Sequence, residues 1–141
     1  MPCPKERRVS ISLKVPTDLD VVEEAVDLIA RHCLASGLSP RTARFNLRVA
    51  LSEALANAIV YGNQMDPDKR VDVRVEAEGE KLSLCVQDEG DGFDPSVVPN
   101  PTLPDAIELT DGRGLFLIQQ LVDEVYFNDR GNSICMIMRR A

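Results

Sequence analysis

The 141-residue sequence has no tryptophan, one histidine and few aromatic residues, and nowhere does it approach eighteen consecutive apolar residues. That last absence excludes a transmembrane helix, which needs about 20 apolar residues to cross the hydrocarbon layer. The opening Met1-Pro2-Cys3-Pro4-Lys5 lacks the apolar run of a signal peptide, so a cytoplasmic protein is expected. Basic residues are not in excess either. A net charge of −7 leaves no positive surface for a phosphate backbone, and no nucleic-acid partner is expected. Arg7-Arg8 and Arg139-Arg140 stand at the two ends and read as solvated tails.

Metal-ligand spacing is also missing. Cys3, Cys33, Cys85 and Cys135 form no C-x-x-C pair and no cluster with His32, so a zinc site is not expected. In an intracellular chain these cysteines are expected to be buried or inert reduced thiols. His32 has no acid or nucleophile near it and reads as a surface or helix-end residue. No Gly-Lys pair occurs anywhere, which excludes a Walker-type phosphate loop.

What is present is an ordinary globular composition, 44% hydrophobic and 28% charged, at the length of one domain. Val9, Ile11, Leu13 and Val15 alternate with polar residues as a half-buried strand does. After Pro16, Thr17 or Asp18 caps a helix whose apolar stripe runs through Leu19, Val22, Val26, Ile29 and Cys33 until Gly37. Ser39-Pro40 starts a second helix, expected to reach about Tyr61 and to stop at Gly62-Asn63. Val71, Val73 and Val75, then Leu82, Leu84 and Val86, give a hairpin around Gly79-Glu80. From Asp94 to Asp111 four prolines within ten residues break any regular element, and a stretch this long reads as a functional lid. A third helix is expected to begin near Gly114, followed by strands at Val125–Asn128 and Ser133–Met138. The order β-α-α-β-β-lid-α-β-β predicts an α+β two-layer sandwich, a mixed and mostly antiparallel sheet with helices on one face.

Three clusters carry chemistry. Glu53 and Asn57 are four apart on the second helix, so they share a face at the edge of its apolar stripe. A carboxylate and an amide oxygen so placed can orient water and a hard cation such as Mg²⁺, although a plain exposed polar pair has the same spacing. Asp88-Glu89-Gly90-Asp91-Gly92-Phe93 follows the hairpin, and Asp88 shares strand parity with Leu82, Leu84 and Val86, so its carboxylate points to the core side. Burying it unpartnered costs several kcal/mol on the order-of-magnitude scale, which a ligand bearing an amino group would offset. Gly90 and Gly92 allow close backbone approach, but they occupy the positions where a calcium loop needs oxygen side chains. A surface turn remains the alternative. Asp111-Gly112-Arg113-Gly114-Leu115 opens a helix, and the free N–H groups there make a natural phosphate seat. No strand directly precedes these glycines, which argues against a dinucleotide fingerprint.

Taken together and in this order, Glu-x-x-x-Asn, Asp-x-Gly-x-Gly, a proline-rich lid and Gly-x-Gly opening a helix resemble the GHKL (histidine-kinase-like, Bergerat fold) ATPase superfamily. The finer text from Glu53 to Asn63 and from Gly112 to Ile118 resembles the anti-sigma factor serine/threonine kinases, over essentially the whole chain. The resemblance implies Mg²⁺ at Asn57, the adenine amino group at Asp88, Gly90 and Gly92 along the base, and phosphates on Gly112, Arg113, Gly114 and Leu115. Glu53 would be the general base, Arg113 would neutralise charge on the transferred phosphoryl, and Ser133 would add an adenine-side hydrogen bond. Relatives commonly carry His where Tyr61 stands. The implied function is an ATP-dependent kinase of a bacterial partner-switching module, a homodimer that sequesters a sigma factor and phosphorylates a small antagonist protein. Two alternatives follow from the same residues: a non-catalytic ATP-binding module that switches partners, and the detached ATP-binding half of a sensor histidine kinase. The second is weakened because Ala30-Arg31-His32-Cys33 lacks the acidic neighbour and proline of a phospho-acceptor box.

Overall fold

A computed structural model describes residues 9–90 and 110–139, with only the helical backbone described over 110–114. The elements are β1 (Val9–Pro16), a short 3₁₀ turn (Leu19–Val21), α1 (Val22–Ala35), α2 (Leu47–Asn57), β2 (Arg70–Glu78), β3 (Lys81–Gln87), α3 (Thr110–Leu121), β4 (Glu124–Phe127) and β5 (Ser133–Arg139). Around α2 the helix is continuous over residues 40–62, with π-helical turns at Thr42–Asn46 and Ala58–Gly62. The start signals behave as their chemistry requires. Asp18 accepts the Asp20 N–H, and Ser39 Oγ accepts the Thr42 N–H at 3.2 Å. Gly37 closes the first helix with a φ of 104°, which a side chain would oppose.

The five strands form one sheet in the order β1-β2-β3-β5-β4. All four pairings are antiparallel, in keeping with the mostly antiparallel sheet expected. Period-two alternation sets the two faces. Val71, Val73, Val75, Leu82, Leu84, Val86, Met136 and Met138 are buried on the inner face, while Arg74, Glu76 and Gln87 are exposed on the other. That apolar face joins Val26, Ile29 and Cys33 of α1, Leu47, Leu51 and Leu55 of α2, and Ile118 of α3 in a single core. The helices therefore lie on one face, as the α+β sandwich reading requires. His32 is exposed in the last turn of α1.

Two expectations are corrected. α3 starts at Thr110, so Gly112 and Gly114 lie within its first turns, not ahead of them. Cys85 and Cys135 are not separate reduced thiols. They stand opposite one another in the β3–β5 register, with Cα atoms 4.0 Å apart, and are joined by a disulfide. Strand pairing brings together residues 50 apart in sequence, a proximity that spacing alone does not reveal. The lid expected over 94–111 lies outside the described residues as far as 109, and Gly92 and Cys3 lie outside them too.

Candidate nucleotide site

The site is built where the helical run over 40–62 ends against the exit of β3. Glu53 and Asn57 are both half-buried and one turn apart on α2, because Ala50, Leu51, Ala54, Leu55 and Ala58 fix which side of the helix faces the core. About five residues further on, some 7 Å along a helix axis, Gly62 meets Asp88. A Cβ added at Gly62 would lie 2.2 Å from both Cγ and Oδ2 of Asp88, so only glycine admits the carboxylate here. A Cβ at Gly90 would lie 2.0 Å from the Gly62 carbonyl oxygen. Gly62, Asp88 and Gly90 thus interlock, and two of the three must lack side chains. Strand parity turns Asp88 toward the helices, as its spacing from Leu82, Leu84 and Val86 predicts.

The Asp88 loop is gripped from both sides. The Asp88 N–H donates to the Asn132 carbonyl at 2.9 Å, and the Gly90 N–H donates to Asp88 Oδ1 at 2.8 Å. Asn132 Nδ2 reaches the carbonyls of Asp88 and Gly90 at 3.4 and 3.5 Å. From the other side the Glu89 N–H donates to Asn63 Oδ1 at 2.8 Å, and Glu89 Oε2 accepts the Arg70 N–H. Burial raises the Asp88 pKa above the ordinary carboxylate value, with the Gly90 N–H acting against the shift. A half-buried carboxylate held rigidly, yet costly to ionise, is an acceptor prepared for a ligand's donor.

The third cluster is carried by α3. Asn46 Nδ2 donates to the Leu121 carbonyl at 3.0 Å, which fixes the end of α3 beside the entrance to α2. The two helices pack against each other, so α3 runs back antiparallel to α2. The backbone of Gly112, Arg113 and Gly114 forms the first turns of α3, and Leu115 is buried at 7% exposure. A helix N-terminus presents N–H groups and positive dipole charge to an anion.

The sheet register places Ser133. Ser133 lies opposite Gln87, on the face with the disulfide and away from Asp88. Its neighbour Asn132, buried at 7% exposure, reaches the loop instead. Asn63 and Asn132 were legible in the sequence only as a helix stop and a turn residue. Tyr61 is 43% exposed at the helix end.

An antiparallel sheet with helices on one face, and a carboxylate held by a glycine wedge at one end, is the architecture of a histidine kinase-like ATPase domain. The family model of that description matches residues 15–138, and the chain belongs to this family. Among individual proteins it is similar to Serine-protein kinase RsbW of Bacillus subtilis (strain 168), at 32% identity over 100 residues. RsbW of Bacillus licheniformis is 33% identical over 98 residues. Each match takes in 64% of this chain and 61% of the relative, so the chain spans about three fifths of those relatives' length. A crystal structure of the RsbU and RsbW domains of Rv1364c from Mycobacterium tuberculosis shares the fold, with a TM-score of 0.58 at 13% identity. That likeness covers 94% of this chain and 32% of the other.

Proposed function

We propose that the chain is an ATP-dependent serine/threonine protein kinase that acts as an anti-sigma factor in a partner-switching module. The observation that carries this reading is the Asp88 carboxylate, wedged between Gly62 and Gly90 with one oxygen committed to the Gly90 N–H. Its other oxygen is the acceptor for the adenine amino group. In this reading the α3 backbone at Gly112, Arg113 and Gly114 seats the phosphates, and Gly90 and Gly92 flank the base.

The donor set fits Mg²⁺, which takes oxygen ligands and is usually held by one or two side chains plus substrate phosphates. Asn57 supplies such an oxygen, and among the described residues no cluster of three or more His, Cys, Asp or Glu builds a self-sufficient metal cage. When bound there, the ion neutralises charge on the phosphates. Glu53, one turn before Asn57, takes the proton of the attacking hydroxyl. A serine oxygen of the partner protein forms the new bond to the γ-phosphorus, the bond to the ADP oxygen breaks, and Arg113 balances the charge that develops.

The substrate in this reading is a small antagonist protein, and the sequestered partner is a sigma factor held by a homodimer. Among the described residues no helix is long and apolar enough to cross a membrane. In the cytoplasm, where this reading places the protein, reductants would open the Cys85–Cys135 bridge.

Incubation with γ-labelled ATP, Mg²⁺ and the small antagonist proteins encoded nearby tests the proposal. Label on a serine of one of them is expected, together with a loss of about 10²–10⁴-fold in Glu53→Gln. If no antagonist takes label, the kinase reading fails. If Glu53→Gln still binds ATP and regulates its partner as before, the chain is a nucleotide-dependent binding module instead.

A further inference from the structure

We infer that Asn63 is a positioning residue for nucleotide selection, setting the direction of the Asp88 carboxylate through the Asp88–Glu89 peptide; this rests on Asp88 being the group that reads the base. Asn63 has no exposed surface, and its amide is fully used. Oδ1 accepts the Glu89 N–H at 2.8 Å, while Nδ2 donates to Thr17 Oγ1 at 3.0 Å and to the Arg70 carbonyl at 3.1 Å. Thr17, also buried, passes its own proton to the Lys69 carbonyl at 2.6 Å. One side chain therefore ties the exit of β1 and the entry of β2 to the exit of β3. Reversing the amide would aim Nδ2 at the Glu89 N–H, so its orientation is dictated by its partners.

The same peptide plane is held at its other end. Its N–H is the Glu89 donor to Asn63, and its carbonyl is the Asp88 oxygen met by Asn132 Nδ2. A peptide fixed at both N–H and C=O cannot rotate about its flanking bonds without breaking a partly buried hydrogen bond. The carboxylate oxygens lie roughly 3–4 Å from that plane's axis, so a tilt of about 15° displaces them by nearly 1 Å. Polar recognition is lost at about that error.

A helix stop alone does not account for this arrangement. Gln64 and Met65, directly after Asn63, both hold left-handed φ values of 52° and 60°. Neither is glycine, and such strain persists where surrounding contacts over-determine the backbone and is concentrated at ligand sites. The preceding Ala58–Gly62 turn is π-helical, closed by the Asn63 N–H on the Ala58 carbonyl at 2.7 Å. A widened last turn, a fully bonded buried amide and two strained residues all lead to one peptide, the one that aims Asp88.

Adenine presents an amino donor where guanine presents a carbonyl acceptor, so a well-aimed carboxylate separates the two bases by attraction and by repulsion. Calorimetry on the full chain with Mg-ATP, Mg-GTP and Mg-tripolyphosphate tests the inference, using Asn63→Ala and the near-isosteric Thr17→Val. Asn63→Ala is expected to weaken ATP binding by about 10- to 50-fold, GTP by no more than about threefold, and tripolyphosphate not measurably. Thr17→Val is expected to shift the ATP-to-GTP ratio the same way by about two- to fivefold. A purely structural Asn63 would scale all three affinities by one common factor, and that outcome overturns the inference. If Asn63→Ala does not fold, an unchanged ATP-to-GTP ratio in Thr17→Val overturns it equally. If the parent itself binds no ATP, or shows no preference for ATP over GTP, the reading of Asp88 fails first and this inference falls with it.

Discussion

The two ends of the helical run over residues 40–62 are built by different rules. At its start Ser39 caps the Thr42 N–H, Arg48 on α2 pairs with Asp27 of α1, which also meets Arg31 one turn on, and Asn46 holds the Leu121 carbonyl. Both arginines lower the Asp27 pKa, the Arg48 hydrogen bond most. At its end the helix widens, passes into two left-handed residues and is held by Asn63 and Gly62 against residues 26 to 46 positions away. Local rules that favour helix stability fix the first end. The second end uses glycine and asparagine, poor helix formers that suit a stop, but holds them by contacts that a stop does not require. A protein departs from local preference where something else must be satisfied, and here that is the approach of Asp88.

Gly62→Ala tests this contrast most severely, because the two rules predict opposite signs. Helix propensity alone favours alanine by about 1 kcal/mol. The added Cβ, however, would meet Asp88 at 2.2 Å, and that carboxylate is fixed by the Gly90 N–H and is no free end of a flexible chain. Overpacking of this kind costs about 1–3 kcal/mol, and nucleotide affinity should fall at least 30-fold, a loss of roughly 2 kcal/mol. Urea unfolding and calorimetry read both. A stabilised variant that still binds ATP would show that the helix end obeys local rules after all.

Asp88→Asn is expected to act on binding and stability in opposite directions. Losing a charged acceptor removes about 1.5–3 kcal/mol of binding, roughly 10- to 150-fold in affinity. Without nucleotide the variant should be more stable near neutral pH. The folded-state pKa of Asp88 is raised, chiefly by burial, so the folded form holds this proton more tightly than the unfolded chain. The associated stability is fully present below the unfolded carboxyl pKa, about 3.9, and is lost as pH rises through the higher folded value. Melting of the parent as pH rises above the ordinary carboxylate range should therefore contain a declining contribution that Asp88→Asn lacks. Identical pH profiles would mean that Asp88 is not held at a cost.

The first end was legible in the sequence and much of the second was not, for a physical reason. Caps at Asp18 and Ser39, the hairpin turn at Gly79 and the alternation from Val71 to Val86 are signals within a few residues, and the structure follows them. The inward turn of Asp88 is also local, since strand parity fixes it. What Asp88 touches is not local. Gly62 reads as a helix stop until the sheet brings Asp88 to within a Cβ of it, and Asn132 reads as a turn residue until β5 pairs with β3. The Cys85–Cys135 bridge belongs with these, because only the register of two strands sets it. Ser133 and Asn132 differ by one residue, and in a strand one residue is a change of face.

Ser39→Ala has the smallest expected effect and completes the contrast from the other side. The Ser39 hydroxyl oxygen accepts the Thr42 N–H and also donates to Thr42 Oγ1 at 2.9 Å, so alanine leaves a first-turn N–H without its cap. Such losses cost about 1 kcal/mol, a fall in melting temperature of roughly 4 °C for a domain of this size. The proposed nucleotide site lies at the far end of the same helical run, more than twenty residues on, and its polar contacts are made with other segments. ATP affinity should stay within about twofold of the parent, because sites without shared partners act nearly independently. A parallel loss of ATP binding in Ser39→Ala would mean that the two ends form one cooperative unit, and that capping at the start helps aim the carboxylate at the finish.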